Sequence, residues 1–218
     1  MITVACVFVK GHVPFTPEYV TNLRSMVARH LKRAHKFVCL TDRPELFHSD
    51  MECINIDRLP KSIKGWWAKM AIFDPSLDLG DRVLYLDLDT LIVDALDPIV
   101  DYPTDFALIP HSGNFAPGSH LIVRKFNSSV MVFDPVTVAP LFKYFDIVDD
   151  TNRYWGDQDL IGDRMPNADV MPLEWFPRLS ELKEQAPLPP AKVVLAKVPK
   201  NTIAAKLYPW FATAWRAA

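Results

Sequence analysis

Short apolar runs alternate with longer amphipathic segments along this chain. Residues 2–9 form a near-continuous apolar run, which is typical of a strand buried on both faces of a sheet. Residues 17–31 then place apolar side chains at helical spacing, with Thr16 as a candidate N-cap and Pro17 at the first helical position. Residues 37–40 form a second apolar run. A strand, a helix and a strand in this order predict a parallel β-sheet.

Later segments extend this pattern. We predict strands at residues 51–56, 83–86, 106–109, 120–123 and 129–133, and helices at residues 65–73, 138–148 and 158–165. No repeat, low-complexity tract or linker interrupts the chain. The sequence therefore predicts one α/β domain over residues 1–218, whose C-terminal tail, residues 187–218, wraps the site or a partner subunit.

Composition narrows the classes of function. The chain has 24 Lys and Arg against 26 Asp and Glu, a formal charge of −2, which argues against nucleic acid as a partner. Its 7 glycines argue against a Gly-rich phosphate loop. No window reaches the ~18 apolar residues of a membrane span, and the short apolar N-terminus has no basic region, so we expect neither a transmembrane segment nor a signal peptide. The three cysteines match no zinc spacing, and reduced core thiols are typical of a cytoplasmic protein.

Two carboxylates follow the most convincing predicted strand. Asp87 and Asp89 come directly after residues 83–86. On an extended backbone their side chains would project to the same side, about 6–7 Å apart, at the strand end where α/β sheets place ligands. Two adjacent carboxylates repel each other unless a cation lies between them, and hard cations take oxygen ligands. The pair therefore favours a site for Mn²⁺ or Mg²⁺ that stabilises a departing diphosphate, although Asp residues at this spacing also occur in ordinary turns.

Four segments in a fixed order resemble a known group of enzymes. They are Trp66-Trp67-Ala68-Lys69-Met70, Asp87-Leu88-Asp89, Asn127-Ser128-Ser129-Val130-Met131 and Trp155-Gly156-Asp157-Gln158-Asp159. Their order resembles the nucleotide-sugar glycosyltransferases of the GT-A fold, specifically the retaining group with glycogenin and the bacterial lipopolysaccharide galactosyltransferases (glycosyltransferase family 8). The resemblance runs over residues 2–165. It implies a Rossmann-like, mostly parallel central sheet flanked by helices. It also implies transfer of a sugar from a nucleotide-diphosphate donor, with a UDP-sugar favoured, to a carbohydrate or lipid-linked acceptor.

The resemblance also implies roles for individual residues. Asp87 and Asp89 match the metal-binding pair, and Asp87 is also expected near the ribose. Asp157 and Gln158 match the pair that holds sugar hydroxyls close to the anomeric carbon. The other positions that match the donor site are Thr41 and Asp42 near the base, Lys69 at the sugar or phosphate, Asn127 and Ser128 in the sugar pocket, and Lys200 at the diphosphate. Amide and carboxylate groups suit these roles, because a sugar presents many hydroxyls that donate and accept hydrogen bonds.

Departures from the pattern keep other functions open. Ser129 stands where the family has glycine, and Ala196 stands where the family has the histidine that is the third protein ligand of the metal. A water, His111 or His120 could replace that ligand, or it could be absent. The chain could then be a catalytically weak or inactive sugar-nucleotide binding protein. A third alternative is a phosphatase of the haloacid dehalogenase type, whose Asp-x-Asp-Gly-Thr signature the segment 87–91 resembles incompletely.

Aromatic residues leave two further questions open. Trp66 and Trp155 are candidate platforms for stacking on a sugar, although large aromatic side chains more often fill a core. Trp210, Phe211 and Trp215 in the tail could cover the site, pack on a second subunit in a homodimer, or touch a lipid-linked acceptor.

Overall fold

A computed structural model of the chain describes residues 1–9, 15–57, 65–111, 125–183, 187–188, 190–196 and 208–215, without the side chains of residues 65 and 66. The predicted strand at residues 120–123 lies outside these residues, as do His120, Lys200 and the side chain of Trp66. Among the described helices, none combines the length and the apolarity that crossing a bilayer requires.

The described residues form strands, α-helices and 3₁₀ helices. The strands are β1 (Ile2–Phe8), β2 (His35–Thr41), β3 (Glu52–Asn55), β4 (Arg82–Leu86), β5 (Thr90–Ile92), β6 (Phe106–Pro110), β7 (Phe126–Phe133), β8 (Asp169–Val170) and β9 (Val193–Leu195). The α-helices are α1 (Pro17–His30), α2 (Asp97–Val100), α3 (Pro135–Lys143), α4 (Ile147–Arg153), α5 (Asp157–Arg164) and α6 (Pro209–Trp215). The 3₁₀ helices span Pro44–Leu46, Gly65–Phe73, Leu173–Trp175 and Leu179–Glu181.

A seven-stranded mixed sheet organises the fold, in the order β3-β2-β1-β4-β7-β6-β8. Strands β1 to β4 run parallel to one another, and β8 runs parallel to β6. Strand β7 runs antiparallel to both β4 and β6. The predicted α/β fold with a mostly parallel sheet is therefore confirmed. Because β7 is reversed, its first residues lie at the edge where β1, β2 and β4 end.

Both faces of the sheet are covered, as the continuous apolar strands require. Along β4, Leu84 and Leu86 pack into one core, and Val83 and Tyr85 pack into the other. Helix α1 covers the first face with Val20, Leu23, Met26 and Val27. The 3₁₀ helix Gly65–Phe73, α3 and α5 cover the second face. The second face therefore carries both elements that bring Lys69 and Asp157 to the sheet.

Two predicted helices differ from the structure. The segment 65–73 is a 3₁₀ helix. The single helix predicted at residues 138–148 is wrong, because α3 ends at Lys143 and α4 begins at Ile147. The side chain of Asp146 accepts hydrogen bonds from the N–H groups of Val148 and Asp149, which caps a new helix at this point.

Parts of the predicted tail lie against the domain. Strand β9 pairs with β5 in a small antiparallel sheet beside the end of β4. Helix α6 packs on α1, where Arg29 Nη2 donates to the carbonyl of Ala214 at 2.8 Å and the Tyr19 and Trp215 rings lie 5.1 Å apart. The tail aromatics that the structure describes therefore contribute to local packing.

Candidate functional site

Lys69 lies at the centre of a buried cluster of charges. Its Nζ is 3.0 Å from Asp87 Oδ1 and 3.4 Å from Asp157 Oδ2. It also donates to Ser128, to Oγ at 3.0 Å and to the carbonyl oxygen at 3.3 Å. Only 7% of the Lys69 side chain is exposed, so the alternative of a solvated surface lysine is excluded. The lysine joins the 3₁₀ helix Gly65–Phe73 to the end of β4, the start of β7 and the start of α5.

Neighbouring hydroxyls fix the two carboxylates. Tyr85 OH donates to Asp87 Oδ1 at 2.8 Å, and Ser128 Oγ donates to Asp157 Oδ2 at 2.5 Å. Asp157 is almost fully buried, with 5% of its side chain exposed, whereas 24% of the Asp87 side chain is exposed. Within the described residues, the hydrogen bonds and ion pairs of each carboxyl group use one oxygen, Oδ1 of Asp87 and Oδ2 of Asp157. The second oxygen of each group can therefore accept from a ligand.

The protonation of the cluster follows from burial and charge. Burial by itself lowers the pKa of Lys69, but the charges of Asp157 and Asp87 outweigh burial and raise that pKa above its ordinary value. Burial, together with the charge of Asp87, raises the pKa of Tyr85 well above its usual range. At neutral pH the site therefore contains an ammonium group and a neutral phenol.

A cavity of about 210 Å³ lies over this cluster. Six residues of its lining were candidates from the sequence: Lys69, Asp87, Ser128, Asp157, Gln158 and, as a stacking platform, Trp155. Ser129 and Gly156 complete the lining. All four motif segments contribute to it. The reversal of β7 explains how they meet, because Asp87 N donates to the carbonyl of Ser129 at 2.8 Å, one step beyond the Leu86–Val130 pair of the ladder.

Other predicted residues lie outside the cavity lining. Asn127 Oδ1 accepts from the N–H of Ser129 at 2.8 Å, so this side chain shapes the local backbone. Thr41 and Asp42 follow β2, at the same sheet edge as Asp87 but two strands away. Thr41 is buried and accepts a hydrogen bond from the N–H of Arg43 at 3.0 Å. Their expected position near a nucleotide base stays a prediction.

The Asp87–Asp89 segment has a different backbone from the one expected. The prediction of an extended strand here is wrong, because β4 ends at Leu86 and residues 87–90 form a turn. Two hydrogen bonds from Thr90 close the turn: its backbone N–H, at 3.2 Å, and its side-chain Oγ1, at 2.7 Å, both donate to the carbonyl of Asp87. Asp89 is half-buried and directly precedes β5, the strand that pairs with β9.

Ala196 lies directly beside this turn. Its N–H donates to the carbonyl of Asp89 at 3.2 Å. The resemblance therefore aligned Ala196 with a position next to the carboxylate pair, but a methyl group cannot ligate a metal. The described residues contain no group of three or more His, Cys, Asp or Glu side chains arranged to hold a metal ion.

Tyr85 is the member of the site that sequence reasoning missed. The signal was its spacing, because residues i and i+2 share one face at the end of a strand and Tyr85 precedes Asp87 by two positions. A phenol in an otherwise aliphatic strand, two residues before a carboxylate, is a candidate hydrogen-bond donor to it. Ser129 and Gly156 gave no comparable signal.

The fold is shared with solved glycosyltransferase structures. An active-site glutamine-to-glutamate mutant of LgtC matches with a TM-score of 0.60 and 14% identity, over 90% of this chain and 88% of LgtC. The galactosyltransferase LgtC in complex with donor and acceptor sugar analogues matches with a TM-score of 0.59 and 16% identity, over 99% of this chain and 92% of LgtC. The glycosyltransferase GlyE of Streptococcus pneumoniae TIGR4 matches with a TM-score of 0.55 and 16% identity over 81% of this chain, which spans 47% of GlyE.

Comparisons of sequence alone find no counterpart: no protein-family profile and no curated protein matches the chain. At 14–16% identity the structural likeness establishes the fold and leaves the activity to be argued from the site. The chain has the GT-A fold predicted from its motifs. This fold removes the support for the phosphatase alternative, whose signature follows the first strand of its domain, whereas Asp87 follows β4.

Proposed function

We propose that this protein is a glycosyltransferase that moves a sugar from a UDP-sugar to a carbohydrate or lipid-linked acceptor, with the anomeric configuration retained. One observation carries the proposal: Lys69, Asp87, Asp157 and Gln158 converge on a single cavity at the sheet edge of a GT-A fold. Retention is supported by the motif resemblance alone. The structure of LgtC with donor and acceptor sugar analogues supports the two classes of ligand.

The size of the cavity indicates which part of a donor it would hold. Sites for whole drug-sized ligands have volumes of about 300–1,000 Å³, and this cavity measures about 210 Å³. It therefore suits the sugar moiety. The nucleotide would lie along the sheet edge, across the ends of β4 and β1 towards Thr41 and Asp42, with its ribose near Asp87.

Asp157 and Gln158 would act at the sugar. During transfer the bond between the anomeric carbon and the diphosphate oxygen breaks, and its electron pair leaves with the diphosphate. The acceptor oxygen bonds to the carbon and loses its proton to the departing diphosphate. Positive charge develops on the sugar ring, and a buried carboxylate stabilises it strongly because the surroundings have a low dielectric constant. Lys69 and Ser128 contact Asp157 Oδ2 and hold the carboxylate in one orientation for this role. The Gln158 amide can both donate to and accept from sugar hydroxyls.

Asp87 and Asp89 are the proposed ligands of Mn²⁺ or Mg²⁺. The donor set fits a metal that arrives with its substrate, because Mg²⁺ is commonly held by one or two carboxylates, waters and substrate phosphates. Lys69 occupies Oδ1 of Asp87, which leaves Oδ2 for a cation. A bound divalent ion would stabilise the negative charge of the leaving diphosphate. Ala196 supplies no third side-chain ligand, so we expect weak metal binding without nucleotide.

A catalytically weak sugar-nucleotide binding protein remains the second candidate. The position of Ala196 beside Asp89 favours it, since a poorly held metal would slow departure of the diphosphate more than it would weaken nucleotide binding. A cytoplasmic location belongs to either proposal and is supported by the cysteine usage of the sequence.

Calorimetric titration with UDP and GDP, in Mn²⁺, Mg²⁺ or EDTA, tests the proposal. We expect UDP to bind in Mn²⁺ and to bind at least tenfold more weakly in EDTA. Asp87→Asn should lose this metal dependence, whereas the matched control Asp101→Asn should keep it, because Asp101 pairs with Arg33 at the surface. Release of UDP from UDP-sugars then measures turnover, which Asp157→Asn should abolish while it keeps UDP binding. Binding without turnover in the unmodified protein would favour the second candidate, and failure of both nucleotides to bind would reject both.

A further inference from the structure

One tryptophan is exposed at the cavity. The structure describes the side chains of five of the six tryptophans, and of these only Trp155 is exposed, at 51%. An indole of ordinary size then keeps about 100 Å² of largely apolar surface in water. Trp155 is also one of the residues that line the cavity, together with Asp157 and Gln158. Because exposing this much apolar surface is unfavourable, a ligand that covers the ring is a physical reason for its position.

The backbone around Trp155 is fixed from both sides. Tyr154, immediately before it, is 2% exposed, and its OH donates to Asp163 Oδ2 at 2.5 Å. Gly156, immediately after it, is buried and is the N-cap of α5, where its carbonyl accepts from the N–H of Leu160 at 3.2 Å. The ring is therefore carried by an anchored segment, which suits a stacking platform.

The cavity combines this apolar face with polar groups. A pyranose ring has hydroxyls around its edge and a face of C–H groups, so carboxylate and amide groups match the edge and an indole matches the face. A nucleotide base could also stack on an indole. However, the strand ends expected to carry the base belong to β2, which is separated by β1 and β4 from β7 and the helix that follows Trp155.

We propose that Trp155 is the stacking platform for the acceptor, and that the acceptor presents a pyranose ring to it. The inference rests on the proposed transfer reaction. The donor sugar would lie deeper, beside Ser128 and Asp157, which are 3% and 4% exposed. The acceptor ring enters from solvent and meets the exposed indole at the rim, where its hydroxyl can reach the anomeric carbon.

Fluorine NMR of the full chain labelled with 5-fluorotryptophan tests this inference. Trp155→Phe assigns the Trp155 resonance. The protein is saturated with UDP and Mn²⁺ and titrated with methyl β-D-galactopyranoside, methyl β-D-glucopyranoside and methyl α-D-mannopyranoside. We expect at least one glycoside to shift the Trp155 resonance saturably. Trp155→Ala should weaken its binding about tenfold, equivalent to about 1.4 kcal/mol, and Trp155→Phe should retain most of the affinity because it keeps an aromatic face.

Two controls separate this inference from the proposed function. Trp175→Phe alters a tryptophan that packs on Tyr102, with ring centroids 6.1 Å apart, and should leave glycoside binding unchanged. UDP affinity, measured by calorimetry, should be the same in all variants. If UDP binds but no glycoside does, if a glycoside binds with equal affinity to Trp155→Ala, or if Trp155→Ala weakens UDP instead, the acceptor platform is refuted and the donor site stands. If UDP itself fails to bind, the proposed function fails and this inference fails with it.

Discussion

Among the described residues, Lys69 is the cation that holds Asp87 and Asp157 together, and replacing it with methionine removes that charge. Methionine keeps a similar length and apolar stem, so the substitution changes the charge more than the packing. Two carboxylates that shared one ammonium, at 3.0 Å and 3.4 Å, would then face each other with no positive charge between them. We expect a large loss of stability and a dependence of stability on pH, between pH 5 and pH 7.5, that Lys69 does not cause in the unmodified protein.

The distances set the size of the effect. At an effective dielectric constant of about 20, each contact contributes about 5 kcal/mol of Coulomb attraction before the cost of removing the charges from water. Desolvation offsets much of this in the intact protein, but the variant keeps the desolvated carboxylates without their partner. Removing one member of a buried ion pair typically costs about 3–5 kcal/mol. We expect Lys69→Met to lose this much stability at pH 7.5, out of a total of about 5–15 kcal/mol for a typical domain.

The sign of the pH dependence is specific to this cluster. In the unmodified protein the pKa of Lys69 is raised. Protonated Lys69 therefore contributes fully to the free energy of unfolding below the ordinary lysine pKa, and this contribution is lost only as pH rises through the raised pKa. The contribution of Lys69 to stability is therefore insensitive to pH between 5 and 9. In the variant, the folded state would bind a proton between the two carboxylates more tightly than the unfolded chain does. Its stability should therefore fall as pH rises, and the loss relative to the unmodified protein should be smaller at pH 5 than at pH 7.5 by about 1 kcal/mol or more.

Urea unfolding at pH 5 and pH 7.5 measures both effects. Lys192→Met is the matched control, because Lys192 pairs with Asp94, which is more than half exposed, and should lose less than about 1 kcal/mol. The double variant Lys69→Met/Asp157→Asn removes one of the two facing carboxylates and should recover at least about 1 kcal/mol, so a poorly folded single variant still leaves a measurable comparison. A loss equal to that of the control, or one independent of pH, would refute the account of Lys69 as the cation of a buried cluster.

Three further changes test other parts of the structure. Ser128→Ala removes the hydroxyl that donates to Asp157 and should cost about 1–3 kcal/mol in urea unfolding; an unchanged midpoint would contradict that bond. Burial raises the pKa of Cys53 to about 11, so its labelling by a disulfide reagent should accelerate about tenfold per pH unit from pH 8 to pH 10, and a rate that levels off near pH 9 would be inconsistent with this. Arg82→Met removes hydrogen bonds to the carbonyls of Val100 and Tyr102 at the opposite sheet edge, and should lower the free energy of unfolding by about 2 kcal/mol without changing UDP affinity. If calorimetry showed weaker UDP binding, the opposite edge would not be independent of the proposed nucleotide site.

The pattern of apolar residues along the sequence predicted the sheet and most of its strands and helices. It did not predict the direction of the individual strands. The apolar pattern of a strand such as β7 is the same for a parallel and an antiparallel strand. Pairing with β4 and β6 determines the direction of β7. The antiparallel direction of β7 matters for function, because it brings Ser128 and Ser129 to the end of β4, where Asp87 follows. The turn at residues 87–90 was also missed, because the Thr90 hydroxyl competes locally for the Asp87 carbonyl.

The sequence indicated which residues lie together at the candidate site. It was less successful at predicting the contacts of each residue. Lys69 was expected to face the donor, and the structure shows it buried between two carboxylates. Its partners lie far apart along the chain, so the ion pairs depend on how α5 packs over the sheet. Asn127 was expected in the sugar pocket, and its side chain supports the backbone of Ser129. The motifs thus indicated residues that meet at one cavity, and packing determined what each of them contacts.

The charge of the described site constrains how a diphosphate could bind. Asp87, Asp89 and Asp157 supply three carboxylates, and the ammonium of Lys69 is already paired with two of them. A diphosphate placed beside Asp87 would therefore be repelled unless further positive charge accompanies it. A divalent ion held by Asp87 and Asp89 would be one source, and the tail lysines Lys197 and Lys200, which lie outside the described residues, would be another. The two sources respond differently: EDTA removes the first, whereas high salt weakens the second. If EDTA abolishes UDP binding, the metal supplies the charge; if binding survives EDTA but falls steeply with salt and in Lys200→Met, the lysines do.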